Sequence, residues 1–269
     1  MGMQPSDALL TDRVAIVTGA GQGIGAAIAL ALANFGAHLA ICDHNAATLE
    51  ATTERVRATG RTVLSACLDV RDAPAVDTPF EAITSQFGRV DILVNNAGGT
   101  FFSPFDKVNA KGEQTLIAEN FTSVTQFIRN SLLLMDERGG SIVNITSIEA
   151  HRAAPGVAIY AAMKAAQASL TKSLALELAP RRIRVNCMAP DMIHTEGSLA
   201  LGEAMQAVSE DAWFLQPLPD DGTVDDAAAA VVYLAGDMSK FVTGSTLHLD
   251  GGNWASGGWK LLRRGTFVV

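Results

Sequence analysis

The sequence predicts an α/β fold: a single doubly wound domain with a seven-stranded parallel sheet and helices on both faces. Three observations carry this. Short β-branched runs alternate with longer helical stretches along 269 residues, the pattern of successive βα units. Right-handed crossovers between such units put helices on both faces of one sheet. No repeat and no low-complexity linker divides the chain, and its length is routine for one α/β domain.

Val14–Thr18 reads as the first strand, and residues 23–35 as the first helix, stopped by Gly36. Residues 38–42 form a second strand that ends at Asp43, and 46–58 a helix closed by Gly60. A third strand over 62–67 ends near Asp69, followed by a helix over 72–87. A fourth strand, 90–94, runs into Asn95-Asn96-Ala97-Gly98. A long helical region is expected over about 111–135, then a fifth strand over 141–145. Residues 158–178 are strongly helical up to Pro180, and 183–188 form a sixth strand. Val224–Ala235 is an alanine-rich helix opened by Asp225-Asp226, whose charges suit its positive end. Thr246–Leu249 is the last strand, and Asp250-Gly251-Gly252 turns away from it. Residues 191–219 show no clear strand, and that segment and the tail after Gly252 are the least predictable parts of the chain.

Composition narrows the function classes. The chain is 48% hydrophobic and 18% charged, ordinary for a compact enzyme. A net charge of −8 argues against a nucleic-acid partner, which calls for a basic footprint. The short cluster Arg181, Arg182, Arg184 reads as a solvated helix end. Cys42, Cys67 and Cys187 are odd in number, lack a CxxC and sit in apolar runs. They read as reduced thiols, and no metal site is expected. Residues 1–12 lack the basic start and apolar run of a signal peptide. No stretch reaches about 18 strongly apolar residues, so no membrane span is expected. The compartment these features suggest is the cytoplasm.

The turn after the first strand carries the first chemical signal. Gly19, Gly21, Gly23 and Gly25, with Gln22 and Ile24 between them, allow a tight turn and close approach of backbone to a pyrophosphate. The helix that follows offers free N–H groups and a positive dipole end. Strand, glycine turn and helix in this order make a Rossmann-type dinucleotide site. Asp43 ends the next strand, where a carboxylate accepts hydrogen bonds from adenosine ribose hydroxyls and repels a 2′-phosphate. Gln22 is neutral and His44 mostly so at pH 7. The cofactor indicated is NAD rather than NADP.

A second set of residues extends the signal. Ser147 follows the fifth strand, and thirteen residues on comes Tyr160 with Lys164 one helical turn beyond. With Asn120, Asn95-Asn96-Ala97-Gly98, Pro190 with Thr195, and Asp250-Gly251-Gly252, this ordered set resembles the short-chain dehydrogenase/reductase family from about residue 12 to 252. The resemblance implies Tyr160 as general base or acid. Lys164 is expected to lower the tyrosine pKa and bind nicotinamide ribose. Ser147 would hydrogen-bond the substrate oxygen, and Asn120 would hold a water in the proton relay. It further implies Asp69 and Val70 at the adenine, and Asn96, Ala97 and Gly98 under the adenosine ribose. The Ile193 backbone and Thr195, after Pro190, would face the nicotinamide carboxamide and pyrophosphate.

One position departs from the family pattern. Asp191 follows Pro190 where glycine is usual. Aspartate tolerates left-handed backbone, and its carboxylate either faces substrate or points to solvent. Glu149, His151 and Val157 flank the expected substrate pocket, and whether His151 meets substrate or solvent is open. Residues 191–219 would form a lid whose Leu199, Leu201, Met205, Val208, Trp213, Phe214 and Leu215 suit a hydrophobic secondary alcohol or ketone, hydroxysteroid-like or acyl-chain. The extension 253–269 is rich in apolar residues and is expected to pack on a neighbouring subunit or the lid. The family's usual assembly, a homotetramer built through the helices around Asn120 and Tyr160, is expected. Two alternatives remain. One is a 3-oxoacyl-carrier-protein reductase, which would use NADPH. The other is a nucleotide-sensing protein without a reaction, which would have a damaged catalytic set.

Overall fold

The computed structural model describes all residues except Met1, Met3, Met192, 196–215, Pro219, Arg263, Arg264 and Val269, and only the backbone of Val268. Seven strands, β1 (Val14–Thr18), β2 (His38–Asp43), β3 (Val63–Cys67), β4 (Ile92–Asn95), β5 (Gly140–Ile145), β6 (Ile183–Pro190) and β7 (Thr246–Leu249), form one sheet in the order β3-β2-β1-β4-β5-β6-β7. Every pairing in it is parallel. The winding reverses between β1 and β4, which opens a crevice beyond the carboxyl ends of those two strands.

The strands are near-continuous apolar runs because the sheet is covered on both sides. Alternate side chains feed two cores. Ala15, Val17, Leu39, Ile41, Val94 and Val143 pack against α1 (Gly23–Asn34), α2 (Ala46–Arg57) and α7 (Val224–Ala235). Ile16, Ala40, Leu93, Ile142 and Val185 pack against α3 (Ala73–Phe87), α5 (Ser123–Leu132) and α6 (Ala158–Glu177). Each fully buried Leu, Ile or Val contributes roughly 1.5–3 kcal/mol relative to exposure.

The helical region over 111–135 is present but not regular throughout. It is α4 (Ala110–Ile117), a π turn over Ala118–Thr122, and α5. Apolar periodicity cannot register one inserted residue in a helix, which is why the sequence reading missed it. The residues after Gly252, least predictable from sequence, hold elements of their own. They form a short helix, α8 (Asn253–Ser256), and an antiparallel hairpin of β8 (Lys260–Leu261) and β9 (Phe267–Val268). The lid residues Leu199, Leu201, Met205, Val208, Trp213, Phe214 and Leu215 all lie outside the described residues. Among the described residues no helix is long and apolar enough to cross a membrane.

Candidate active site

A cleft of about 900 Å³ opens at the carboxyl ends of the strands. At its floor, Gly19 turns with φ +65° and Gly23 with φ +54°. A side chain at Gly19 would lie 2.9 Å from the Ala97 Cα, and one at Gly25 would lie 2.0 Å from the Gly19 carbonyl oxygen. The turn is therefore packed directly against the end of β4. Thr18 Oγ1 accepts from the N–H groups of Asn96 and Ala97, both at 3.0 Å. Asn96 Nδ2 donates back to the carbonyls of Thr18 and Gly19 at 3.0 and 2.9 Å. No side chain caps α1 at Gln22. Its first N–H groups, at Gly23, Ile24 and Gly25, line the cleft without an intrahelical partner. That donor set fits the pyrophosphate of a dinucleotide.

Asp43 stands at the outer end of this turn, 6% exposed. Its Oδ2 accepts from the Gly21 N–H and its Oδ1 from the Asn45 N–H, both at 2.9 Å. Each oxygen retains a second lone pair for a ribose hydroxyl. The cap of α2 is Asn45, which accepts from Ala47 and Thr48. Asp43 itself does not cap that helix. Asp69 and Val70 line the same end of the cleft. Arg71, which the sequence reading did not single out, lies there too, with its guanidinium bound to both Asp69 oxygens at 2.6–3.0 Å. This pairing holds the Asp69 carboxyl below its ordinary range.

Farther in, Ser147, Tyr160 and Lys164 line the cleft together. Lys164 is buried, its Nζ donates to the Ile145 carbonyl at 2.8 Å, and it lies 5.6 Å from the Tyr160 ring centroid. Burial pushes Lys164 down to about 8, against the opposing pull of Glu119. Tyr160 departs from expectation. Burial pushes its phenol up to about 12, with the Ser147 hydroxyl acting to lower it and the Glu149 charge to raise it. Lys164 gives its hydrogen bond to a backbone carbonyl, not to the phenol, so the expected lowering by its ammonium is not seen. Ser147 Oγ accepts from the Glu149 N–H at 3.2 Å, and its hydroxyl is within hydrogen-bond reach of Tyr160.

Asn120 does not line the cleft; it is fully buried behind it. Its Nδ2 donates to the carbonyls of Gly99 at 2.9 Å and Leu116 at 3.0 Å, and its Oδ1 accepts from the Gly99 N–H at 3.3 Å. The π turn frees the Asn120 carbonyl, which accepts from Gln167 of α6. Gly98 is the meeting point: a side chain there would lie 2.8 Å from Asn120 Oδ1 and 3.0 Å from Lys164 Nζ.

On the substrate side the cleft includes Glu149, Val157, Pro190, Asp191, Ile193 and Thr195. His151 is not brought to the lining. Its ring meets His248 at 4.8 Å and Trp254 at 5.7 Å between centroids. The backbone of Asp191 is not left-handed, since among the described non-glycine residues only Asp12 and Arg182 have positive φ. Its N–H instead extends the β6–β7 pairing to Leu249. Its carboxylate takes neither predicted direction alone: Oδ2 accepts from Asn253 Nδ2 at 2.6 Å and Oδ1 faces Arg152 at 3.4 Å. Burial raises its pKa, with Asn253 and then Arg152 opposing. Sequence reasoning missed Arg152, Asn253 and Phe102, because nothing local marks contacts across 39 or 62 positions. Phe102, with Ala153, Ala154 and Pro155, gives this wall its apolar surface. A separate hollow lined by Met135, Asp136, Glu137, Pro180, Arg181 and Arg182 lies at the opposite ends of the strands and holds none of the predicted residues.

The family model described as Enoyl-(Acyl carrier protein) reductase, of the short-chain alcohol dehydrogenase group, matches residues 19–253. An uncharacterized oxidoreductase of Mycobacterium tuberculosis is 38% identical over 247 residues, which span 90% of this chain and 92% of that one. The crystal structure of carveol dehydrogenase from Mycobacterium avium in complex with NAD matches with a TM-score of 0.85 at 28% identity, covering 91% of this chain and 99% of that one. A gluconate 5-dehydrogenase from Burkholderia cenocepacia in complex with NADP and tartrate matches with a TM-score of 0.84 at 32% identity, covering 93% and 98%. With this fold, this turn and these relatives, the chain belongs to the short-chain dehydrogenase/reductase family and is an NAD(P)-dependent oxidoreductase.

Proposed function

We propose that the protein prefers NAD and interconverts a hydrophobic secondary alcohol, hydroxysteroid-like or acyl-chain, with its ketone. The observation that carries this reading is one cleft with the Asp43 carboxylate at its adenosine end and Ser147, Tyr160 and Lys164 at its inner end. The dinucleotide, when bound, supplies the hydride donor or acceptor. The rest falls to the chain. The N–H groups of Gly23, Ile24 and Gly25 hold the pyrophosphate, and Asp43 accepts from the adenosine ribose. Asp69 and Val70 flank the adenine, with Asn96, Ala97 and Gly98 beneath that ribose. Ile193 and Thr195, beyond Pro190, orient the nicotinamide end.

Lys164 commits one of its three donors to Ile145, which leaves two for ribose hydroxyls. The Ser147 hydrogen is donated to the substrate oxygen, where it stabilises developing charge. Tyr160 gives a proton to that oxygen in reduction and takes it in oxidation. With its phenol pushed up to about 12, Tyr160 holds its proton at neutral pH and is set to donate. Asn120 fixes the Gly99 backbone behind Lys164. Phe102, Pro155 and Val157 favour an apolar substrate. The assembly we take to be a homotetramer, supported by Leu133 after α5 and Leu176 on α6, 83% and 79% exposed.

The 3-oxoacyl-carrier-protein reductase reading needs a cation at the adenosine ribose. Arg71 is the cation nearest that end, and its charge is spent on Asp69. The test is turnover of a panel of secondary alcohols, steroids and 3-oxoacyl thioesters with each dinucleotide. NAD-linked oxidation of an apolar alcohol that disappears in Tyr160→Phe is the expected result. Turnover confined to 3-oxoacyl thioesters with NADPH would replace this reading by the alternative, and tight dinucleotide binding without turnover would remove it.

A further inference from the structure

Beyond the residues assigned so far, a connected group of charges stands on the substrate side of Tyr160. Arg152 Nη2 lies 2.8 Å from Glu149 Oε1 and 3.4 Å from Asp191 Oδ1. The other Asp191 oxygen is held by Asn253 of α8 at 2.6 Å. Glu149 and Asp191 are largely withdrawn from solvent, at 23% and 16% exposure, while Arg152 closes over them from the more exposed side. Glu149 stands two residues beyond Ser147, and its N–H is bound by the Ser147 hydroxyl. Asp191 occupies the position where the family pattern has glycine, and Asn253 comes from the segment where that pattern ends.

We propose that Arg152 is a positioning residue that holds the Glu149 and Asp191 carboxylates in a fixed pair beside Tyr160, with Asn253 as outer anchor, and so tunes proton transfer at Tyr160. It rests on the assignment of Tyr160 as the proton carrier. Like charges near a phenol disfavour phenolate, and a cation between them and the phenol favours it. Glu149 acts on Tyr160 in the first sense, and Arg152 is the cation set against it. Among the described residues the other groups facing this region are Lys164 on the tyrosine's own helix, Glu119 of the π turn acting on Lys164, and Asp250 of the turn after β7. His151 is turned away toward His248 and Trp254. Asp250 is engaged in the turn, accepting from Gly252 and Trp254 N–H groups. That leaves Glu149, Asp191 and Arg152 as the adjustable set.

The chain contains two tyrosines, so a Tyr233→Phe background makes Tyr160 the sole phenol. Its ionisation is then read as tyrosinate absorbance against pH in the full-length protein, with circular dichroism confirming the fold at each point. Glu149→Gln is expected to move the midpoint down by roughly one pH unit, a tenfold gain in phenolate at fixed alkaline pH. Arg152→Gln moves it up by a similar factor. Asp191→Asn moves it down by less, and Asn253→Ala adds nothing in the Asp191→Asn background, since both act through one contact. The proposal is overturned if Glu149→Gln leaves the midpoint in place, or if Glu149→Gln and Arg152→Gln move it in the same direction. Should Arg152→Gln fail to fold, Glu149→Gln alone decides the sign. Failure of the Tyr160 assignment shows separately, as turnover that survives Tyr160→Phe.

Discussion

Replacing Asp43 by alanine tests two roles at once. The carboxylate accepts from Gly21 and Asn45 at 2.9 Å each, the first bond buried and the second partly so. Removing it strands both donors. A buried N–H left without its charged acceptor costs about 1.5–3 kcal/mol, and the partly solvated Asn45 bond about half that. The loss in stability is then about 2–4 kcal/mol. For a domain of this size that is a fall in Tm of about 5–15 °C. Asp43→Asn keeps one acceptor oxygen, so it loses about half as much. The same change removes the charge that repels a 2′-phosphate, so kcat/KM for NADP relative to NAD rises in both variants. Scanning calorimetry measures the first effect and initial rates with each dinucleotide the second. An Asp43→Ala protein that melts like the parent refutes the role in the turn. An unchanged cofactor ratio refutes the role in recognition, whatever the melting shows.

Three further outcomes follow from contacts at the inner end. Gly98→Ala puts a methyl group 2.8 Å from Asn120 Oδ1 and 3.0 Å from Lys164 Nζ; displacing Lys164 by a fraction of an ångström should lower kcat about a hundredfold, visible in steady-state rates at saturating cofactor. Asn120→Ala strands the Gly99 N–H and carbonyl, and chemical denaturation should show a loss of about 2–4 kcal/mol, with an unchanged midpoint as the refuting result. Lys164→Met removes a charge whose burial depresses it from 10.5 to about 8. Below about pH 8 the folded protein carries that penalty in full, about 3 kcal/mol, partly offset by the bond to Ile145. The unfolded chain binds the extra proton between about pH 8 and 10.5, so parent stability rises across that window. The variant should therefore be inactive yet more stable near neutrality, with its advantage shrinking above pH 8; a variant less stable at pH 7 than at pH 10 relative to the parent would contradict this.

The sheet was legible in the sequence because its strands are buried on both faces and therefore appear as unbroken β-branched runs. The cleft was legible because glycine turn, Asp43, Ser147, Tyr160 and Lys164 each end or follow a strand or share a helical turn. What stayed hidden depends on insertion or distance. The π turn at Asn120 is one residue out of helical phase, and its apolar pattern reads as a single helix. The Asp191 carboxylate meets partners 39 and 62 positions away, so its direction could not be read locally. His151 was placed near substrate by its neighbours in sequence, but two aromatic rings hold it elsewhere. The sign of the Tyr160 shift turned on burial, which a sequence does not show.

The π turn has one more consequence, for which chain lengths this fold accepts. An added residue in a helix rotates everything after it by about 100°. The π turn takes up its extra residue locally, so Val124, Phe127 and Ile128 keep the phase that faces the sheet core. Deleting one residue between Ala118 and Thr122 should restore an ideal helix with those three side chains still facing inward, and lose the Asn120 carbonyl that the turn frees for Gln167. A residue added to α4 or α5 has no such outlet, so the segment should accept a one-residue loss at the turn better than a one-residue gain beside it.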